Sequence, residues 1–222
     1  MMIKAIIFDL DGTLIDSMGL WRQVDEDFLS SRGITVPPDL FEHLPQGNSF
    51  IQTAQYFKDR FSLSESVEQI MQIWTQMVSK NYESSVALKS GASELLQILQ
   101  DKGLRIGLGT SNSYELAEKS LSFNKVWHYF ENVVSGDMHL LGKPYPDIYL
   151  KCAEGLGIMP QQCLVVEDTL AGVQAARNAG MQVIAIYDSD SRDQHQQIRE
   201  LADSFVMDYL ELHHELKQRV NL

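Results

Sequence analysis

Two carboxylates, Asp9 and Asp11, close an apolar run at residues 3–10 and are followed by Gly12 and Thr13. Side-chain alternation sends both carboxylates the same way if the chain stays extended, and Gly12 permits a sharp turn after them. Carboxylates this close repel one another, and a divalent cation relieves the repulsion. One could then attack as a nucleophile while the other moves protons. An ordinary polar turn after a strand would use the same residues. A calcium loop of the EF-hand type would need Glu at its twelfth position, where this chain has Leu20.

Three further segments end apolar runs in polar groups. Thr110-Ser111-Asn112 offers a hydroxyl and backbone N–H groups to a phosphate oxygen, or a helix N-cap at Ser111, Asn112 or Ser113. The Gly107-Leu108-Gly109 that precedes it lacks the third glycine of a dinucleotide fingerprint, because Asn112 stands there. Lys143 sits in Gly142-Lys143-Pro144-Tyr145-Pro146, which has neither the spacing nor the hydroxyl of a Walker loop. It can neutralise a phosphate and the nucleophile, or it is an exposed surface lysine. Glu167 and Asp168 end a run at 163–166, where paired carboxylates need water or a cation; capping of the next helix by Asp168 or Thr169 is the alternative. Each motif alone is ambiguous. Their order, acidic, hydroxyl, lysine, acidic, with every member at a strand end, points to one shared site.

The elements that must position them follow from periodicity. Apolar runs at 3–10, 104–108, 163–166 and 182–186 read as buried strands, and 93–102, 114–122, 147–155 and 170–179 as helices. Gly103, Gly157 and Gly180 stand where helices end. Continuous apolar strands alternating with helices predict an α/β fold, a doubly wound parallel sheet that binds ligands at its carboxyl edge. Residues 17–84 break the rhythm. They predict amphipathic helices over 20–32, 50–61 and 64–82, a small helical cap inserted into a core of residues 1–16 and 85–222. In the tail, 188–197 reads as a polar loop and 204–206 as a last strand, both structural.

The chain has 222 residues, 44% of them hydrophobic, which is enough for a sizeable core, and a net charge of −12. The acidic balance leaves no basic excess for a nucleic-acid partner, and an anionic substrate then needs a local cation. Cys152 and Cys163 lie in apolar contexts and read as buried free thiols. The apolar N-terminus is too short for a signal peptide, and no run reaches membrane-spanning length. A cytoplasmic monomer without membrane partner is expected.

The Asp9-Leu10-Asp11-Gly12-Thr13 motif, with Ser111, Lys143 and Glu167-Asp168 in that order, resembles the haloacid dehalogenase-like hydrolase superfamily over the whole chain. The resemblance implies that Asp9 is the nucleophile and a Mg²⁺ ligand. Asp11 is then the general acid/base, and its carbonyl also binds the metal. Thr13 helps to orient Asp11, Ser111 and Asn112 bind phosphoryl oxygens, and Lys143 steadies the nucleophile. Asp168 completes the metal site, with Glu167 acting through water. Dehalogenase members lack a second acid at Asp11, so phosphoryl transfer is implied.

The nearest branch resembles beta-phosphoglucomutases and sugar-phosphate phosphatases. Mutases carry a His in the first cap helix and an Arg in the cap loop. This chain has Trp21 and the uncharged Gln46-Gly47-Asn48-Ser49-Phe50 there, so a phosphatase acting on a small phosphate ester is expected, with Gln46, Gly47 and Asn48 contacting substrate. A phosphosugar mutase and a phosphoglycolate phosphatase are the alternatives. Trp21 and Phe50 either line the pocket or pack the cap. A receiver-type phospho-acceptor would be about half this length and carry no cap.

Overall fold

The computed structural model describes residues 2–40 and 49–220. Six parallel strands form one sheet: β1 (Ala5–Phe8), β2 (Arg105–Gly109), β3 (Asn132–Val134), β4 (Cys163–Glu167), β5 (Gln182–Ile186) and β6 (Ser204–Val206). Their order across the sheet is β3-β2-β1-β4-β5-β6, with β1 in the middle. The strands read as unbroken apolar runs because both faces are covered. Ile6, Phe8, Leu164, Val166 and Ile184 point into one core, and Ala5, Ile7, Val165, Val183 and Ala185 into the other.

The first face is packed by α4 (Ala92–Asp101), α5 (Tyr114–Phe123) and α9 (Tyr209–Arg219), through Leu95, Leu116 and Leu212. The second is packed by α6 (Asp147–Leu156), α7 (Leu170–Asn178) and α8 (His195–Leu201), through Tyr149, Val173 and Ile198. The sheet is therefore doubly wound, as the sequence predicts. Gly103, Gly157 and Gly180 all have positive φ at helix ends.

Between β1 and β2 lie α1 (Met18–Ser30), α2 (Phe50–Phe61) and α3 (Val67–Tyr82). Both α2 and α3 open with capping boxes, Ser49 with Gln52 and Ser66 with Gln69, which satisfy orphan N–H groups reciprocally. Their apolar stripes meet in an aromatic cluster, with Trp74 edge-on to Phe57 at 5.0 Å and to Phe28 at 5.5 Å. The two chain crossings run side by side. Ile15 bridges Leu88 in antiparallel sense, and the Lys89 N–H donates to the Leu14 carbonyl at 2.8 Å.

Three elements differ from the reading above. β3 was not expected; it is three residues long at the sheet edge, too short for a pattern. Part of the expected loop at 188–197 is the start of α8. The tail ends in α9, whose N-cap Asp208 accepts from the N–H groups of Leu210 and Glu211 at 2.9 Å. Cys152 and Cys163 are free and buried. No helix among the described residues is long and apolar enough to cross a membrane.

Candidate active site

Asp9 stands one residue beyond β1, and its N–H donates to the Val166 carbonyl of β4 at 3.0 Å. Because Phe8 pairs with Val166, the parallel register brings Asp9 beside the acidic end of β4. Gly12 then turns the chain with φ +82°. A Cβ there would lie 2.3 Å from Asp168 Oδ2, so only glycine lets the Asp9–Thr13 loop close over Asp168. Thr13 Oγ1 donates to Asp168 Oδ1 at 2.8 Å, and Tyr209 of α9 donates to the Thr13 carbonyl at 3.0 Å.

Lys143 is 3% exposed, far from the surface lysine that its motif alone would allow. Its Nζ donates to Asp9 Oδ1 at 2.6 Å and to Glu167 Oε1 at 2.5 Å. The Lys143–Pro144 peptide is cis. Both Glu167 oxygens have protein donors. Tyr149 OH reaches Oε1 at 3.0 Å, and the N–H groups of Asp168 and Thr169 reach Oε2 at 2.7 and 2.8 Å. Gly172, in the first turn of α7, clears the space: a Cβ there would lie 1.7 Å from Glu167 Oε1.

Three buried carboxylates, Asp9, Glu167 and Asp168, can each place an oxygen within 4.8 Å of the others. Lys143 balances one charge. Against the penalty of burial, Lys143 and the Thr169 N–H hold Glu167 below the usual carboxylate range. Burial pushes the Asp9 carboxyl up to about 8 despite the pull of Lys143. Burial, then Glu167 and Asp9, raise Asp168 well above its ordinary value. Lys143 is thus the ion partner of both Asp9 and Glu167, so one ammonium serves two carboxylates, and Asp168 has no salt bridge among the described residues.

Asp11 turns towards the helical segment. Oδ1 accepts from Ser17 Oγ at 2.5 Å, from the Tyr82 hydroxyl and from Trp21 Nε1 at 3.4 Å; Oδ2 accepts from Asn112 Nδ2 at 3.0 Å. Trp21 Nε1 also donates to Tyr82 OH at 2.8 Å. Trp21 opens α1 and Tyr82 closes α3, so the two ends of the helical segment meet on this carboxylate. Helix α5 is capped by Ser113, through its hydroxyl to the Leu116 N–H at 3.3 Å. The carbonyl of Ser111 accepts from the Phe50 N–H at 2.8 Å, which ties that loop to the start of α2.

The family model of haloacid dehalogenase-like hydrolases matches residues 6–186. The chain belongs to this family. It is an enzyme of the haloacid dehalogenase-like phosphatase kind. Hexitol phosphatase B of Escherichia coli is 28% identical over 186 residues, 83% of each chain. The phosphorylated carbohydrates phosphatase of Thermotoga maritima is 28% identical over 182 residues, 82% of this chain and 84% of that one. Among solved structures, a hydrolase from Pseudomonas syringae superposes with a TM-score of 0.80 at 26% identity, covering 97% and 98% of the two chains. CbbY from Rhodobacter sphaeroides in complex with phosphate gives a TM-score of 0.84 at 24% identity over 95% and 96%, a likeness of fold.

Asp9, Lys143, Glu167 and Asp168 come together at the carboxyl edge of the sheet, joined by Asp11 through its loop and by Asn112 through its amide. The hydroxyl of Thr13, expected beside Asp11, reaches Asp168 instead. Gln46, Gly47 and Asn48 lie outside the described residues. The sequence reading missed Ser17, Tyr82 and Tyr149. Ser17 and Tyr82 flank the chain crossings, and that placement was the one available signal.

Proposed function

We propose that this haloacid dehalogenase-like phosphatase hydrolyses small sugar phosphates with Mg²⁺, through a phosphoryl group carried on Asp9. The observation that carries the reading is the buried Asp9 carboxylate, 2.6 Å from the Lys143 ammonium and beside the charge-deficient Asp168. A hard divalent cation fits the donor set, since the three carboxylates offer only oxygens and the one ammonium among them, Lys143, cannot balance three negative charges. Asp9, Asp168 and the Asp11 carbonyl would hold Mg²⁺, with Glu167 acting through water. When bound, the ion supplies charge that offsets the phosphoryl oxygens.

Asp9 attacks phosphorus, and the ester oxygen departs with a proton from Asp11. Water then attacks the phosphoryl group on Asp9 and gives a proton back to Asp11. Lys143 holds the nucleophile and the transferring oxygens. Ser111 and Asn112 bind those oxygens. Residues 17–84 serve as the cap over the core of residues 1–16 and 85–222, excluding water during transfer. The sugar-phosphate class draws support from the relatives named for hexitols and phosphorylated carbohydrates. A cytoplasmic monomer without nucleic-acid partner completes the reading.

The test is phosphate release from a panel of sugar phosphates, hexitol phosphates and phosphoglycolate, with Mg²⁺ and with EDTA. Release that requires Mg²⁺ is expected, and Asp9→Asn should abolish it while circular dichroism stays the same. Wild-type turnover in Asp9→Asn would remove the nucleophile. No release, with glucose 1-phosphate isomerised in the presence of a bisphosphate primer, would make the chain a mutase.

A further inference from the structure

Tyr149 stands where the buried charges of the site meet. It is the third residue of α6 and is fully buried. Its hydroxyl donates to Glu167 Oε1 at 3.0 Å, and Lys143 Nζ donates to that same oxygen at 2.5 Å. The Lys143 ammonium also lies 5.2 Å from the centre of the Tyr149 ring, close enough to be attracted by its face. One tyrosine therefore touches both members of the ion pair, the carboxylate by its hydroxyl and the ammonium by its ring.

The surrounding chain provides for this placement. The Tyr149 N–H donates to the Pro146 carbonyl at 3.1 Å, so the first turn of α6 follows directly on the loop that carries Lys143. Beside the ring, β2 has Gly109, where a Cβ would lie 3.0 Å from Tyr149 Cε1. The other Glu167 oxygen, Oε2, accepts from the N–H groups of Asp168 and Thr169 at 2.7 and 2.8 Å and from the Thr169 hydroxyl at 3.0 Å. With Tyr149 on Oε1, the carboxylate cannot turn without losing donors on both sides. A phenylalanine would fill this core equally well and bury no hydroxyl.

An ammonium group is a compact donor with three rotatable N–H bonds, so its partners alone decide where those bonds point. Two of the three go to Asp9 Oδ1 and Glu167 Oε1. On the phosphatase reading, the third serves an oxygen of the transferring phosphoryl group. Its direction depends on where Glu167 Oε1 sits, and Tyr149 fixes that oxygen. Without the hydroxyl, Lys143 is the one remaining donor to Oε1 among the described residues, and the pair closes at the expense of Asp9.

We propose that Tyr149 is a positioning residue for phosphoryl transfer. Its hydroxyl fixes Glu167, and through Glu167 it sets how the Lys143 ammonium is divided between that anchor and the nucleophile. This rests on the phosphatase reading above and adds to it a residue that sits behind the reacting groups. The hydroxyl donates throughout and transfers no proton.

The test compares Tyr149→Phe with the wild type on a hexitol or hexose phosphate and on p-nitrophenyl phosphate. Tyr129→Phe is the control, since the Tyr129 hydroxyl donates to Gln97 at 2.6 Å, outside the site. Loss of one hydrogen bond to a charged group should lower kcat about tenfold, with KM within about threefold of wild type. The loss should be the same on both esters, because Lys143 acts on the phosphoryl group and not on the leaving oxygen. A second readout needs no turnover. In the isotopically labelled, metal-free protein, the nitrogen resonance of the buried Lys143 ammonium should shift in Tyr149→Phe and stay in place in Tyr129→Phe. A kcat within about twofold of wild type would overturn the proposal and leave the phosphatase reading standing. So would a loss of turnover with the Lys143 resonance unmoved, because the hydroxyl would then act on something other than the ammonium. A wild-type protein that releases no phosphate from either ester would overturn the phosphatase reading, and this assignment with it.

Discussion

At the scale of single residues, the Asp11 carboxylate, the proposed acid/base, is held by four donors from three parts of the chain. Tyr82 and Trp21 contribute two of them and also bond to each other. Replacing Tyr82 by Phe removes one donor and leaves Ser17 and Asn112 in place. We expect kcat to fall about tenfold for an alkyl phosphate, which needs a proton on its leaving oxygen, and much less for p-nitrophenyl phosphate. Equal losses on both esters would mean that Tyr82 does not act through Asp11. Asp25, buried on α1, gives a stability prediction of its own. Its carboxyl is raised to about 7, so its contribution to stability is full at pH 4 and is lost as pH rises through 7. Asp25→Asn should therefore melt at a higher temperature than wild type at pH 8, with the gain shrinking towards pH 4. Asp9, Asp11 and Asp168 were legible in the sequence because each follows an apolar run, and Lys143 because it sits in a loop stiffened by Pro144 and Pro146. Tyr82 was not: it is 71 residues from Asp11, in a helix where a tyrosine also reads as packing.

At the scale of elements, the site is a product of strand register. Ile7 pairs with Gly107 and Val165, and Phe8 with Leu108 and Val166, so three loops leave the sheet at one level. The central strands were legible from length and apolar continuity, as was the helix that closes at Gly157. The three-residue β3 and the mostly polar α8 carry too little periodicity to be read alone. α9 is different, since Tyr209, Leu212 and Leu216 keep helical spacing and simply went unweighed. Gly12 is where element and site meet. Gly12→Ala must accept positive φ and push Asp168 aside, so we expect a loss of about 1–3 kcal/mol in urea unfolding, together with loss of Mg²⁺-dependent turnover. Unchanged stability would show that the loop has another route past Asp168.

At the scale of the whole molecule, a net charge of −12 surrounds a core site that already holds more carboxylates than ammonium groups. In the metal-free protein Asp9 is raised to about 8, so its contribution to stability is lost as pH rises through that value. Mg²⁺ should oppose the loss, raising the melting temperature more at pH 8 than at pH 5. An equal rise at both values would place the ion away from Asp9. The helical segment is anchored in two ways: by the paired crossings at Ile15 and Leu88, and by the Phe50 N–H on the Ser111 carbonyl. The first pair is covalently continuous with the sheet and the second is not. The crossings thus act like the two legs of a single hinge pin. We propose that another insert whose ends lie equally close would leave the sheet-edge site in place, provided it brings its own counterparts of Trp21 and Tyr82. On that proposal substrate choice changes with the insert, while Asp9, Lys143, Glu167 and Asp168 keep their places at the sheet edge.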